Sequence, residues 1–299
     1  MVSILRTEGL TKDFGPFRAV DQLNLEVEEG DIYGFLGLNG AGKTTSMRMI
    51  LRLIRPTSGR VTVFGKEIGS DFIDIMKRVG CLVELPAYYP YLSAWKNLEI
   101  LRLATGDIPR DRIEEVLQLV GLGDRMHGRV GTFSQGMRQR LGIAMALLPK
   151  PRLVMLDEPT NGLDPHGINH IRGVIQRLNR EEGVTFFLSS HLLYEVEITC
   201  TRVGILKRGK LILQDTLSKI MSATVDGCRV VADAPTKARE ILGGQAWVRG
   251  ISDDPEGGLR VRCDAASFGK LNALLLQGGV TVSELTPVRQ SLEEFFLAQ

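Results

Sequence analysis

The chain has 299 residues, 43% apolar and 24% charged, a globular balance that excludes a disordered, collagenous or low-complexity protein and suggests two domains. Lys+Arg 37 against Asp+Glu 35 leaves +2 with no long basic block, so nucleic acid is not an expected partner. Four cysteines (Cys81, Cys200, Cys228, Cys263) lie far apart with no CxxC pair, so reduced thiols are expected and neither a zinc site nor a disulfide framework is.

In chain order, Ile4 to Leu10 and Ala19 to Val27 alternate with period two, as half-buried strands do. Ile32-Tyr33-Gly34-Phe35-Leu36 is apolar on both faces, the mark of a buried parallel strand. A glycine-rich turn follows, and then Met47, Ile50, Leu51 and Ile54 fall at helical spacing within Thr44 to Ile54. Pro56-Thr57-Ser58-Gly59 stops that helix, and Arg60 to Phe64 resumes as strand. From about 72 to 148 the pattern is mostly helical, broken by a loop holding Tyr88, Tyr89 and Tyr91. Short apolar runs return at 153–156 and 184–188 between helical stretches, the alternation of a parallel α/β sheet. A helical insert, about 85–148, therefore sits inside an α/β domain. No apolar run approaches the ~18–20 residues that cross a bilayer, and Met1 to Thr7 lacks the apolar core of a secretion signal. Work at a membrane would then need a separate spanning partner.

Near residue 222 the character shifts: 1–222 hold 29 basic against 25 acidic residues, and 223–299 hold 8 against 10. The tail reads as strand (Cys228 to Ala232), helix (Thr236 to Leu242), strand (Gln245 to Ile251), strand (Leu259 to Cys263), helix (Ala266 to Leu276) and strand (Val280 to Leu285). A last helix is expected at Ser291 to Leu297. This order matches a ferredoxin-like α+β domain.

Gly37-Leu38-Asn39-Gly40-Ala41-Gly42-Lys43-Thr44 fits GxxxxGK[ST] between a buried strand and an amphipathic helix. Glycines let successive N–H groups face one anion, and the helix adds its positive end. Lys43 can reach β and γ phosphates, and Thr44 can place a hydroxyl on Mg2+. Leu153-Val154-Met155-Leu156-Asp157-Glu158 is an apolar strand ending in two acids, where ligand chemistry gathers in open parallel sheets. Alone, such a pair reads as a solvated strand end. Beside a phosphate loop, Asp157 suits Mg2+ and Glu158 suits polarising an attacking water. A nucleoside triphosphate site follows.

These residues, with those below, resemble the ATP-binding subunits of ABC transporters over about residues 3–220. Thr132-Phe133-Ser134-Gln135-Gly136-Met137-Arg138-Gln139-Arg140 looks like the signature motif, Asn161-Gly162-Leu163-Asp164 like the D-loop, and His191 like the switch histidine. Phe14 stands where an aromatic ring stacks on adenine. The run Gly80-Cys81-Leu82-Val83-Glu84-Leu85-Pro86, followed by Tyr88-Tyr89-Pro90, resembles the bacitracin and lantibiotic exporter branch. Two departures stand out: the signature LSGGQ is Phe133-Ser134-Gln135-Gly136-Met137, and Glu84 replaces the usual glutamine.

The resemblance implies a P-loop ABC-type ATPase over 1–222, with a parallel core, an antiparallel β subdomain and the helical insert, and an accessory α+β domain over 223–299. It implies ATP and Mg2+ as ligands. Glu158, His191, Glu84 and Lys43 would carry catalysis. Phe14, Gly37, Asn39, Gly40, Ala41, Gly42, Lys43, Thr44, Thr45, Ser134, Gly136 and Asp164 would bind nucleotide, and Thr44, Asp157 and Glu84 the metal. It further implies a second copy in a head-to-tail ATP-sandwich dimer and a separate membrane permease, docked near Glu84 and the tyrosines at the cytoplasmic face. Trp95 and Trp247 read as packing residues, and Arg138 and Arg140 as solvated helix-face charges. The rival reading is a soluble ABC-type ATPase acting on nucleic acid or ribosomes. A third is a nucleotide sensor without turnover. Neither twin cassettes nor a long coiled-coil insert favours the rival.

Overall fold

The computed structural model describes residues 3–84, 86–223 and 225–289 and divides into two compact units, Met1–Leu217 and Ser218–Gln299. Leu85 and the helix expected at Ser291 to Leu297 lie outside the described residues.

The first unit opens on strands β1 (Ser3–Phe14) and β2 (Phe17–Glu28); β2 buries alternate residues from Leu23 to Val27, whereas β1 buries the adjacent pairs Ile4–Leu5 and Leu10–Thr11 where its register shifts against β2. They pair antiparallel and join β4 (Ser58–Val63) and β5 (Lys66–Glu67) in a sheet of order β2-β1-β4-β5. β3 (Ile32–Leu36) is buried at all five positions because it runs at the centre of a second sheet. Helix α1 (Lys43–Ile50) leaves its C-terminal end. It stops earlier than its apolar spacing predicts: Arg52 turns left-handed, and the N–H groups of Leu53 and Ile54 both return to the Arg48 carbonyl.

Next come α2 (Phe72–Met76) and β6 (Val79–Leu82), then the insert helices α3 (Ala94–Thr105), α4 (Arg112–Leu119) and α5 (Gln135–Leu147). β6 corrects the helical reading of this stretch. Four residues are too few to display a period, and Gly80 is required there because a Cβ would stand 2.0 Å from the Ala146 carbonyl. The unit closes with β7 (Leu153–Asp157), α6 (Pro165–Glu182), β8 (Thr185–Ser190), α7 (Leu193–Thr199), β9 (Arg202–Lys207) and β10 (Lys210–Thr216). The second sheet has the order β10-β9-β3-β8-β7-β6, parallel except for β10. Buried side chains from both sheets and α1, among them Leu5, Leu25, Phe35, Met47 and Phe187, form one core. That core fixes the strand ends on which the polar site is built.

Helix α8 (Leu217–Ala223) leads into the second unit, which runs β11 (Val225–Ala232), α9 (Pro235–Gly243), β12 (Gly250–Asp253), β13 (Leu259–Arg262), α10 (Phe268–Gln277) and β14 (Val282–Arg289). Its antiparallel sheet has the order β12-β13-β11-β14. The strand expected from Gln245 begins only at Gly250, because 245–248 closes a turn with the Val248 N–H on the Gln245 carbonyl. Trp247 packs half-buried against the unit's own core of Cys228, Val230, Val261, Leu271 and Leu275. All four cysteines are free thiols.

Candidate active site

The loop between β3 and α1 bends as it does because of its glycines. Gly42 sits at φ +107, where a Cβ would also meet the Ala19 carbonyl at 2.6 Å. Gly42 is the N-cap of α1 and supplies no side-chain acceptor, so the first N–H groups of the helix are left for an anion. Asn39, Gly40, Gly42, Lys43, Thr44 and Thr45 line one cleft together with Phe14, Phe17 and Glu158. Phe14 and Phe17 are register partners across the β1–β2 turn and both well exposed at the cleft, with the Lys12 ammonium 5.1 Å from the Phe14 ring centroid.

Polar contacts converge at the strand ends. Lys43 is buried; its Nζ donates to the Gly37 carbonyl at 2.7 Å and lies 3.2 Å from Glu158 Oε1. Thr44 Oγ1 donates to Asp157 Oδ2 at 2.8 Å. His191 Nδ1 stands 2.8 Å from Glu158 Oε2. Glu158 itself takes a left-handed φ of +49, uncommon for a side chain of its size. Such strain persists where surrounding contacts over-determine it. Here Gln139 of α5 also donates to the carbonyls of Glu158 and Pro159 at 3.3 Å each.

A neighbouring cleft shares Glu158 and adds Asp157, Glu84, Tyr88, Gln135 and Arg138. The Glu84 carboxylate is engaged by Arg48 of α1, and no contact joins it to Thr44 or Asp157. Ser134, Gly136 and Asp164 line neither cleft. Ser134 caps α5, accepting from the Met137 N–H at 3.2 Å, and Asp164 caps α6, accepting from the Gly167 N–H at 2.8 Å. Tyr89 and Tyr91 are exposed and stand 6.0 Å apart on a loop that Asn97 clamps through the Tyr89 backbone. Arg138 and Arg140 are half-buried, and each donates to a loop carbonyl, that of Gly131 and Gly121 respectively.

Sequence reasoning passed over Phe17, Arg48, Gln139 and Ser189. Phe17 had a signal in its mirror position to Phe14 across Gly15-Pro16. The other three take their meaning from partners distant in sequence.

The chain matches the ABC transporter family profile over residues 20–161. It is 41% identical to the bacitracin transport ATP-binding protein BcrA of Bacillus licheniformis, over 99% of this chain and 97% of that protein. It is 37% identical to the lantibiotic transport ATP-binding protein SrtF of Streptococcus pyogenes, over 71% of this chain and 90% of that protein. Among solved structures, the ATP-binding cassette MJ0796, a dimer in a post-hydrolysis state bound to ADP and Pi, superposes with a TM-score of 0.65 at 26% identity, covering 71% of this chain and 98% of that one.

Proposed function

The chain belongs to the ATP-binding subunits of ABC transporters, and from that premise we propose that it powers export of a peptide- or antibiotic-like compound through a separate membrane permease. The observation that carries the reading is the convergence of Lys43, Thr44, Asp157, Glu158 and His191 beside the phosphate loop. The relatives named for bacitracin and lantibiotic transport support the substrate class.

In this mechanism ATP lies along the loop from Gly37 to Thr45, its base against Phe14. Thr44 and Asp157 are the residues that would hold Mg2+. They suit it as hard oxygen donors. Bound there, Mg2+ would neutralise charge on the β and γ phosphates. Glu158 takes a proton from the attacking water, and His191 orients the Glu158 carboxylate and reaches the γ-phosphate. Lys43 stabilises charge on the transferred group.

Two copies close head to tail, so that Ser134 and Gly136 of one cover the ATP of the other and Asp164 lies at the same seam. The solved relative, a dimer bound to ADP and Pi, supports a paired ATPase. ATP favours the closed pair because only there does it touch both halves. The loop carrying Glu84, Tyr88, Tyr89 and Tyr91 passes the motion to the permease at the cytoplasmic face, where this chain sits peripherally. No helix among the described residues is long and apolar enough to cross a membrane. We read the second unit as a ferredoxin-like accessory domain on its strand order.

Purifying tagged Glu158→Gln protein from detergent-solubilised membranes with ATP tests the whole reading. A stoichiometric polytopic membrane protein is expected in the eluate. Only ribosomes, RNA or soluble proteins there would move the function to the rival class.

A further inference from the structure

Both acids at the end of β7 are held by a residue that the mechanism above leaves unused. Ser189, on β8 and fully buried, is the direct partner of Asp157 across the parallel ladder. Its hydroxyl donates to Asp157 Oδ1, and the same oxygen accepts the backbone N–H of Glu158 at 3.0 Å. Asp157 Oδ2 takes the Thr44 hydroxyl, and Glu158 Oε1 faces Lys43, the chain neighbour of Thr44. The contacts therefore close a ring: Lys43, Glu158, Ser189, Asp157, Thr44.

A hydroxyl has one proton to give and two lone pairs to receive. One oxygen can thus satisfy a carboxylate and an N–H at once, which no aliphatic side chain can do. Two consequences follow from the geometry. With Asp157 fixed as an acceptor, the Thr44 proton is committed to it, and the lone pairs of Thr44 are free to face a cation. The Glu158 N–H is shared between this hydroxyl and, at 3.3 Å, the Ser189 carbonyl; the hydroxyl is the shorter contact and helps hold the left-handed turn that sets where the Glu158 carboxylate points.

We propose that Ser189 is a positioning residue for ATP hydrolysis, its hydroxyl presetting Asp157 for Mg2+ and the backbone turn that aims Glu158. This rests on the reading of Asp157 as the acid that holds the cation.

The test uses the full chain and four variants: Ser189→Ala, Ser189→Val, Ser189→Thr and Asp157→Asn. The readouts are the Mg2+ concentration that half-saturates retention of a fluorescent ATP analogue, and kcat for phosphate release. Valine and threonine share a shape and differ by the hydroxyl, so a purely structural role moves both alike. Alanine only removes the oxygen, which covers the case of a branched side chain overpacking the site. Ser189→Val and Ser189→Ala are expected to raise the Mg2+ requirement about tenfold and to lower kcat, as loss of a hydrogen bond to a metal-holding carboxylate does. Ser189→Thr should stay near the parent. Equal Mg2+ requirements for alanine and the parent overturn the proposal, as do equal requirements for valine and threonine unless both exceed that of alanine, which marks overpacking and leaves the decision to the alanine variant. Should Asp157→Asn leave the requirement unchanged, the metal assignment itself falls, a result distinct from an effect of Asp157→Asn without one of Ser189.

Discussion

Glu158 is held at both ends: Lys43 and His191 meet its carboxylate, and Gln139 and the Asn161 N–H donate to its carbonyl. Glutamine at this position keeps the shape and gives up the negative charge that draws a proton from water. Glu158→Gln is expected to lower phosphate release about a hundredfold or more. It should still bind ATP and, with ATP, persist longer as a dimer on size exclusion. Turnover at the parent rate would remove Glu158 as the base. The residues of this cleft were legible in sequence where a short motif fixes them to one loop, as from Gly37 to Thr45. Ser189 was not, because a serine in Leu188-Ser189-Ser190 shows nothing until β8 is laid in register beside β7. Arg48 likewise gains a role only when the chain returns at Glu84.

At the scale of elements, α5 combines two duties at its N-cap. Ser134 spends its hydroxyl on the Met137 N–H, and its place at a helix N-terminus suits it to a phosphate from outside. Ser134→Arg costs about 1 kcal/mol through the lost cap. It fills the seam with a long cation as well. ATP binding to the monomer, measured by fluorescence, should be retained while hydrolysis is lost. Equal loss of binding would sink the head-to-tail arrangement. Elements with a sustained period were readable: β3 begins and ends where its apolar run does, and α9 and α10 lie where their spacing puts them. β6 falls inside a stretch that reads as helical, and β12 starts late because 245–248 turns before it, whereas β13, equally short, lies where its apolar run puts it. β9 and β10 lie beyond the elements that the apolar runs marked.

For the whole molecule, the two units each own a core, Leu25, Phe35 and Met47 in one and Val230, Val261 and Leu271 in the other. Every residue of the phosphate cleft belongs to the first. A fragment of residues 1–222 is therefore expected to bind ATP with the affinity of the full chain, by titration with a fluorescent analogue. Loss of binding would show that the first core does not stand without the second. The similarity to BcrA runs through both units, so the accessory one is a shared part of that architecture.

The strand order has a consequence for synthesis on the ribosome. β3, apolar along its whole length, is made near the start of the chain, yet its neighbours β8 and β9 come only at residues 185–207. At about 5–20 residues per second, the nascent chain carries that strand with both edges bare for roughly 10–30 s. For most of that interval Asp157 is not yet made, and Ser189, which stands behind it, comes only with β8 itself. The early chain therefore carries the phosphate loop well before the acids that complete its site.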